Sequence, residues 1–427
     1  MLGKDRLYWI LCSILLLALY AMGLGKSGNK SDFRDYYQAS KKLQQREGIY
    51  NLKLLERLHK TIPLEKAFTP ENITKIFELK NKVGTYIYPP FFAFSLLPLA
   101  SVFSYETASA IFLTINFLCL LGSLFLCAKI LALEQYVPLI LGGILLNYRF
   151  FESHMNNNQI AFFLIFLILL AVYIDKPWLS GILLAWATAI KLTPAIFILY
   201  FLFRKKFSTI VVFTFAVVGF LLLPSFLGWE YSWKMLANWN HLVLQTAMKN
   251  PVFRAWKNNQ SVIATVAKYF LAGADPISQP NFSMPFVVIS NFTAKLIFYC
   301  IAFTWVGHLC YSFYKTANKF WFLSGLFILS VVLSGISWIH SFSVLLFPSL
   351  YALRVTFLQK PTWQKWLPMG FYTLVVLGTV KQFIGKGGQD FFLMFSVFLY
   401  SSLFLYAYLY VLVVQQETKG EYEEEVT

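Results

Sequence analysis

The sequence predicts an all-α polytopic membrane protein, and three observations carry that reading. Of 427 residues, 58% are hydrophobic and only 13% charged, where soluble domains carry roughly 45–50% and about 25%. Many apolar runs reach the roughly 20 residues that a helix needs to cross a bilayer. The runs are continuous, without the alternation of a membrane barrel. Aromatic residues make up 19% of the chain. Many stand at the ends of apolar runs, where an amphipathic ring favours the interface.

A net charge of +16 would point to nucleic acid in a soluble chain. Here Lys and Arg gather in loops and at span ends, as cytoplasmic retention and headgroup contact require. No nucleic-acid motif accompanies them, so the expected partners are membrane lipids and no nucleic acid. Cys12, Cys119, Cys127, Cys300 and Cys310 fall inside apolar runs. They show no metal-type spacing and read as small buried hydrophobes. Neither a metal nor a cofactor is expected.

In chain order, Lys4 and Arg6 precede a first span over Leu7–Leu24. They place the N-terminus in the cytoplasm, and the run is longer than the roughly 7–15 residues of a signal-peptide core. Residues 25–90 form a first outer loop with short amphipathic helices, predicted at Asp32–Glu47, Asn51–His59 and Ile73–Leu79. The apolar run Phe91–Phe103, with Pro98, is too short to span and reads as re-entrant or interfacial. Ala108–Leu131 is the next span, Val137–Phe151 returns, Arg149–Asn158 is an outer loop, and Gln159–Ile174 goes back. Asp175-Lys176-Pro177 makes an inner turn. The stretch Trp178–Phe203 is interrupted by Lys191-Leu192-Thr193-Pro194 and reads as two half-helices meeting near Lys191, because proline breaks the helical ladder. That break also returns Arg204-Lys205-Lys206 to the inside, where the positive-inside rule wants them. Residues 229–285 form a second outer polar region, with a short apolar helix at Val262–Leu271. Spans follow at Phe286–Tyr314, Phe320–Ile336, Trp338–Leu353, Leu367–Phe383 and Phe391–Val414. Residues 1–414 read as one integral membrane domain, and 415–427 as a disordered acidic cytoplasmic tail.

This topology gathers Asp32, Tyr88, His154, Asn158, Gln159, Lys191, Asn259, His340 and Ser341 on or near the outer face. Each has a plain reading beside a chemical one. Asp32 can cap a helix, or serve as a general base that takes or orients the proton of an attacking hydroxyl. Asp35, one turn on, competes for that role. Tyr88-Pro89-Pro90 can be an interfacial anchor with proline opening a helix. Asn158 and Gln159 can cap, or hydrogen-bond sugar hydroxyls. Lys191 can snorkel, or contact a phosphate as a point charge, since ionisable groups inside a membrane are costly and usually functional. Ser337-Trp338-Ile339-His340-Ser341 can be an interfacial turn, or a phosphate or sugar contact.

Taken in order, several pieces resemble one known family. They are Asp32-Phe33 with Tyr36-Tyr37 and Ala39, Gly48-Ile49-Tyr50, Tyr88-Pro89-Pro90 with Leu97-Pro98-Leu99, and Asn158-Gln159. Further on come Gly181 leading to Lys191-Leu192-Thr193-Pro194, then Asn259-Gln260-Ser261 and Ser337-Trp338-x-His340. Each is weak alone. Together they resemble the polyprenyl-phosphate-sugar-dependent glycosyltransferases of family 87, which include phosphatidylinositol mannoside mannosyltransferases. The resemblance implies a GT-C-type fold, here with about 10–12 transmembrane helices by run length, whose structured first outer loop carries the catalytic acid. It implies inverting transfer of a hexose, such as mannose, from a polyprenyl-phosphate-linked sugar donor to a lipid or glycan acceptor at the outer face of the plasma membrane. By carry-over Asp32 is the base, and Lys191 and His340 are candidates for the donor phosphate. Asp35, Tyr36, Tyr88, Asn158, Gln159, Asn259, Gln260 and Ser337 are further substrate-binding candidates. Two features depart from the family: the loop between Tyr50 and Tyr88 is long and Lys-rich, and Asn158 stands where a glycine often precedes the glutamine. The rival readings are a transporter or lipid flippase, which would carry ionisable groups through the midplane, and a non-catalytic relative.

Overall fold

Long apolar helices dominate the computed structural model, which describes residues 2–29, 31–50, 86–245, 254–271, 287–358 and 363–414. The helices expected at Asn51–His59 and Ile73–Leu79, and the tail from Gln415, lie outside these residues. Among the described residues the regular structure is entirely helical. In order come α1 (Leu2–Lys26), α2 (Asp32–Gln44), α3 (Pro90–Ser95), α4 (Leu97–Val102), α5 (Tyr105–Ile130), α6 (Val137–Asn157), α7 (Ala161–Ile174) and α8 (Pro177–Ile190). A 3-10 turn, Thr193–Phe197, leads into α9 (Ile198–Phe203), followed by α10 (Phe207–Leu222), α11 (Trp229–Trp239), α12 (Val262–Phe270), α13 (Asn291–Thr316) and α14 (Lys319–Val332). A second 3-10 turn, Ile339–Leu345, opens α15 (Leu346–Leu358), and α16 (Trp363–Gly378), α17 (Lys381–Met394) and α18 (Val397–Leu409) close the fold.

Among the described residues six segments are long and apolar enough to cross a membrane: Arg6–Lys26, Tyr105–Ile130, Phe207–Leu227, Asn291–Thr316, Ile339–Phe357 and Val397–Val414. Shorter apolar helices stand beside them, among them Ala161–Ile174, Pro177–Ile190 and Lys319–Val332. The chain is an all-α polytopic membrane protein. α7 and α14 are apolar all round and sit in the core, as helices without a polar face must. α10 and α13 are largely uncovered by protein, so their Phe215, Phe292 and Phe303 face outward, as suits contact with lipid. Cys300, expected to be buried, lies on the outward face of α13 for the same reason.

The broken hairpin forms as the sequence predicts. α8 runs one way, the chain turns at Lys191, and the 3-10 turn with α9 runs back. Lys206 and Arg204 then meet Asp175 at 3.0 and 4.0 Å, so the two basic and acidic turns share one end of the molecule. The break falls at Lys191, which is extended (φ −148°, ψ 132°), and not at Thr193, which stays in the 3-10 turn. The reason is that the ring of Pro194 collides with a carbonyl four residues back, and that carbonyl belongs to Ile190, the last residue of α8. Gly181 lets this hairpin sit close to α10: a Cβ there would come within 2.8 Å of the Thr209 carbonyl oxygen.

Two sequence expectations are corrected. Arg149–Asn158 is not a loop, because α6 continues to Asn157. Arg149 and Glu152 satisfy each other at 3.0 Å across one turn, while Phe150, Phe151, His154 and Met155 keep the helix buried. Phe391–Val414 is not one span. It divides between α17 and α18 at Ser396, whose φ of 55° stops the first helix. The short run at Phe91–Phe103 does not span either. It forms α3 and α4, broken at Leu96, each too short to cross a bilayer, as the run length predicts.

Candidate active site

The first polar cluster is built by α2, the Tyr-Pro-Pro segment and the α6–α7 junction. α2 is amphipathic, with Phe33, Tyr36, Ala39, Ser40 and Leu43 on its buried stripe at the spacing of one helical face. Phe33 stacks on Phe112 of α5, with centroids 4.7 Å apart. Ser31 takes the N-cap position without a side-chain capping bond, and Asp32 opens the first turn. Gln159 bridges this helix to α6. Its Nε2 donates to Asp32 Oδ2, and its Oε1 accepts from the Tyr36 hydroxyl at 2.8 Å. The Tyr36 and Tyr88 hydroxyls lie 3.1 Å apart, with rings edge to face.

The Tyr88 turn is itself held. Tyr50 donates to the Tyr88 carbonyl at 2.5 Å, Tyr86 to the Pro89 carbonyl at 2.8 Å, and Trp239 to the Ile87 carbonyl at 3.1 Å. Pro90 opens α3, where its missing N–H costs nothing. Burial drives the phenols of Tyr36 and Tyr88 well above their ordinary range, and the nearby Asp32 and Asp35 charges add to it. Both tyrosines are therefore neutral donors at physiological pH. Asp32 and Asp35 are half-buried, and Gln159 holds Asp32.

Asn158 supplies the geometry of this bridge. It is the left-handed residue that ends α6 (φ 47°, ψ 60°), a conformation that glycine adopts freely and asparagine tolerates best among other residues. That accounts for asparagine at the residue that ends α6. Its Nδ2 donates to the carbonyl and hydroxyl of Ser109, both at 2.9 Å, which turns the next residue, Gln159, toward Asp32. Ser109 had no signal in the sequence beyond an ordinary span residue.

The second cluster surrounds a narrow cleft with a cavity volume of about 40 Å³. Lys191, Thr193, Ser334, Ser337 and Ser341 supply its polar lining, while Leu164, Ile168, Phe197, Val331 and Val344 are apolar. His340 is within electrostatic reach of Lys191, and His154 of His340. The ring of His340 sits 6.0 Å from Trp338, which in turn lies 6.1 Å from Trp256. Ala161 lines this cleft too, two residues beyond Gln159, so the start of α7 touches both clusters. Asp32 does not line the cleft; the connection runs through Gln159 and Ile160. A cation in an apolar-walled slot suits an anionic group.

Asn259 and Gln260, predicted as substrate contacts, are buried and spend their amides on backbone. Asn259 donates to the Arg254 and Gly335 carbonyls and accepts from the Ser337 and Ser261 amides at 2.9–3.3 Å. Gln260 donates to the Lys257 and Leu393 carbonyls and accepts from the Phe398 amide. A direct substrate contact would break these bonds. The pair clamps three segments behind the cleft, assisted by buried Lys268, which donates to the Asn259 and Leu393 carbonyls. Ser337 is likewise tied, its hydroxyl donating to the Val331 carbonyl.

The family model for glycosyltransferase family 87 matches residues 86–335. The chain belongs to this family. It is therefore a membrane glycosyltransferase. The matched stretch contains Tyr88, Asn158, Gln159, Lys191, Asn259 and Gln260, while Asp32, Asp35, Tyr36, Ser337 and His340 lie outside it. No curated protein and no solved structure matches the chain.

Proposed function

We propose that this family 87 enzyme transfers a hexose from a polyprenyl-phosphate-linked donor to a lipid or glycan acceptor at the outer face of the plasma membrane, with inversion and with Asp32 as general base. The observation that carries the reading is the Gln159 bridge. It holds the Asp32 carboxylate against two neutral phenols, while the same short segment leads into the Lys191 cleft. A carboxylate fixed this way can orient an acceptor hydroxyl and take its proton as the anomeric carbon is attacked. Lys191, with His340 near it, balances the donor phosphate at the mouth of the cleft. The outward assignment rests on the positive-inside rule: Asp175, Arg204 and Lys206 mark the opposite end from Asp32.

Asn259, Gln260 and Ser337 act in this account by positioning. Asp35 remains close enough to bias the charge around the two tyrosines. The test is transfer of labelled sugar by the purified full-length protein, offered a polyprenyl-phosphate hexose in one reaction and a nucleotide hexose in another. Transfer from the lipid-linked donor alone supports the reading; transfer from the nucleotide donor alone overturns it.

A further inference from the structure

α11 has three strips of different character. Ser232, Met235 and Trp239 are buried against protein. Trp229 and Trp233 are 65% and 59% exposed, their rings nearly parallel at 12° with centroids 6.4 Å apart. Glu230 and Lys234 are exposed and charged. By helical spacing the aromatic strip stands between the buried strip and the charged one. A helix inside hydrocarbon would not carry Glu230 and Lys234. An aromatic strip beside a charged one is the pattern of a helix lying along a membrane surface, with tryptophan at headgroup depth.

Continuity with α10 identifies what covers the aromatic strip. α10 is largely uncovered by protein, with Val211, Phe215 and Val218 outward, so that face meets lipid. The outward apolar surface continues through Phe226, 83% exposed, in the 3-10 turn Leu223–Leu227 that ends this span. The chain then bends at Gly228, whose φ of 130° is open to glycine and strained for other residues, and Trp229 follows at once. α10 starts beside Lys206, which pairs with Asp175 at the basic end. α11 therefore lies at the other end of the span, on the side of Asp32.

The protein side of the same helix holds the candidate site. Tyr231 donates to the Glu47 carbonyl at 2.6 Å, and Trp239 donates to the Ile87 carbonyl at 3.1 Å. These two segments meet where Tyr50 donates to the Tyr88 carbonyl. We propose that α11 is an interfacial helix, seated through Phe226, Trp229 and Trp233 in the headgroup region of the leaflet on the Asp32 side, and that it sets the depth at which the Tyr88–Asp32 cluster meets lipid-borne substrates. The partner is the lipid surface itself. Reacting groups held at a fixed depth stay in register with a sugar carried by a lipid, and misplacement by an ångström costs rate steeply. The depth-setting role rests on the lipid-linked donor reading; the seating of the helix does not.

The test places the full-length protein in phosphatidylcholine nanodiscs and subtracts the tryptophan fluorescence of Trp229→Phe/Trp233→Phe from that of wild type. The difference isolates two of the 12 tryptophans. Lipid brominated high on its acyl chains should quench this difference about twofold or more above lipid brominated near the chain ends, as an interfacial indole requires. Quenching by aqueous iodide alone, by no probe at all as under a second copy of the chain, or most strongly by the deep lipid overturns the seating. Trp229→Ala/Trp233→Ala should lower hexose transfer in nanodiscs by about 5–50-fold, yet leave transfer between short-chain substrates in detergent within about twofold of wild type. The same change in both media overturns the depth-setting role. The quenching arm uses the conservative phenylalanines, so it stands where the alanine pair misfolds. Wild type that transfers from no polyprenyl-phosphate hexose in either medium overturns the donor reading and the depth-setting role with it, while quenching still decides the seating.

Discussion

Replacing Gln159 by leucine tests how the carboxylate is held. The side chain is 4% exposed, and leucine nearly keeps its volume, so packing is little disturbed. Two bonds are lost. The one to Asp32 has a charged acceptor, a class contributing about 1.5–3 kcal/mol, and the one from Tyr36 is of the neutral class at about 0.5–1.5 kcal/mol. The Tyr36 hydroxyl can turn to Tyr88, 3.1 Å away, and Asp32 is half-buried and regains water. The net loss of orientation is therefore about 2 kcal/mol, which is about 30-fold in kcat. Steady-state transfer assays at saturating donor read it directly, with KM for the donor expected to change less than about threefold because the cleft is untouched. Gln159→Glu adds a sharper readout. Its protonated carboxyl can still donate to Asp32, whereas its ionised form repels it, so activity should persist at acidic pH and collapse as pH rises. Wild-type kcat in Gln159→Leu, or a loss confined to donor KM, would refute this account of the bridge.

Gln260→Leu should lower thermal stability by about 2–4 kcal/mol, since it strands buried backbone groups, with donor KM unchanged; a raised KM at unchanged melting would make Gln260 a direct contact after all. Asn158→Val should destabilise more than Asn158→Gly by about 1–2 kcal/mol, because only the latter accepts the left-handed backbone freely; equal melting temperatures would show that the turn relaxes. The phenols of Tyr36, Tyr50, Tyr86 and Tyr88 are held above their ordinary value of 10.0, chiefly by burial. Folded-state values above the unfolded one mean stability that is full below pH 10 and lost as pH rises beyond it. Alkaline melting curves should therefore fall only above about pH 10, less steeply in Tyr36→Phe; a decline beginning near pH 8 would contradict this placement.

The membrane class, α2, the short non-spanning α3–α4 pair and the broken hairpin at Lys191 were legible in the sequence, because apolar run length and proline act locally. Even there the exact break needed the structure, since the collision of Pro194 is with a residue four positions back. The extent of α6 was not legible. Arg149 and Glu152 look like loop residues until their pairing across one turn is seen. The gap at Ser396 had no glycine or proline to mark it. At the site, Asp32, Tyr36, Tyr88 and Gln159 were each named as candidates, and the structure brings those four into contact. It brings Lys191 and Ser337 to the lining of a neighbouring cleft, with His340 within electrostatic reach of Lys191. Asn259 and Gln260 were substrate-binding candidates through the family resemblance; their partners are carbonyls and amides, several of them distant in the chain, which no local pattern reveals. Ser109 gave no local signal either, since its meaning comes only from Asn158 on another segment.

The central claim is that Asp32 takes the acceptor proton, and single-turnover transfer by Asp32→Asn tests it most directly. The asparagine keeps size and can still accept a hydrogen bond from Gln159 Nε2, so the protein should fold and bind a polyprenyl-phosphate donor as wild type does. Without a base, the rate of label transfer from the bound donor should fall by about 10²–10⁴-fold, while Asp35→Asn retains most activity. Full transfer by a folded Asp32→Asn, or the same collapse in Asp35→Asn alone, would contradict it.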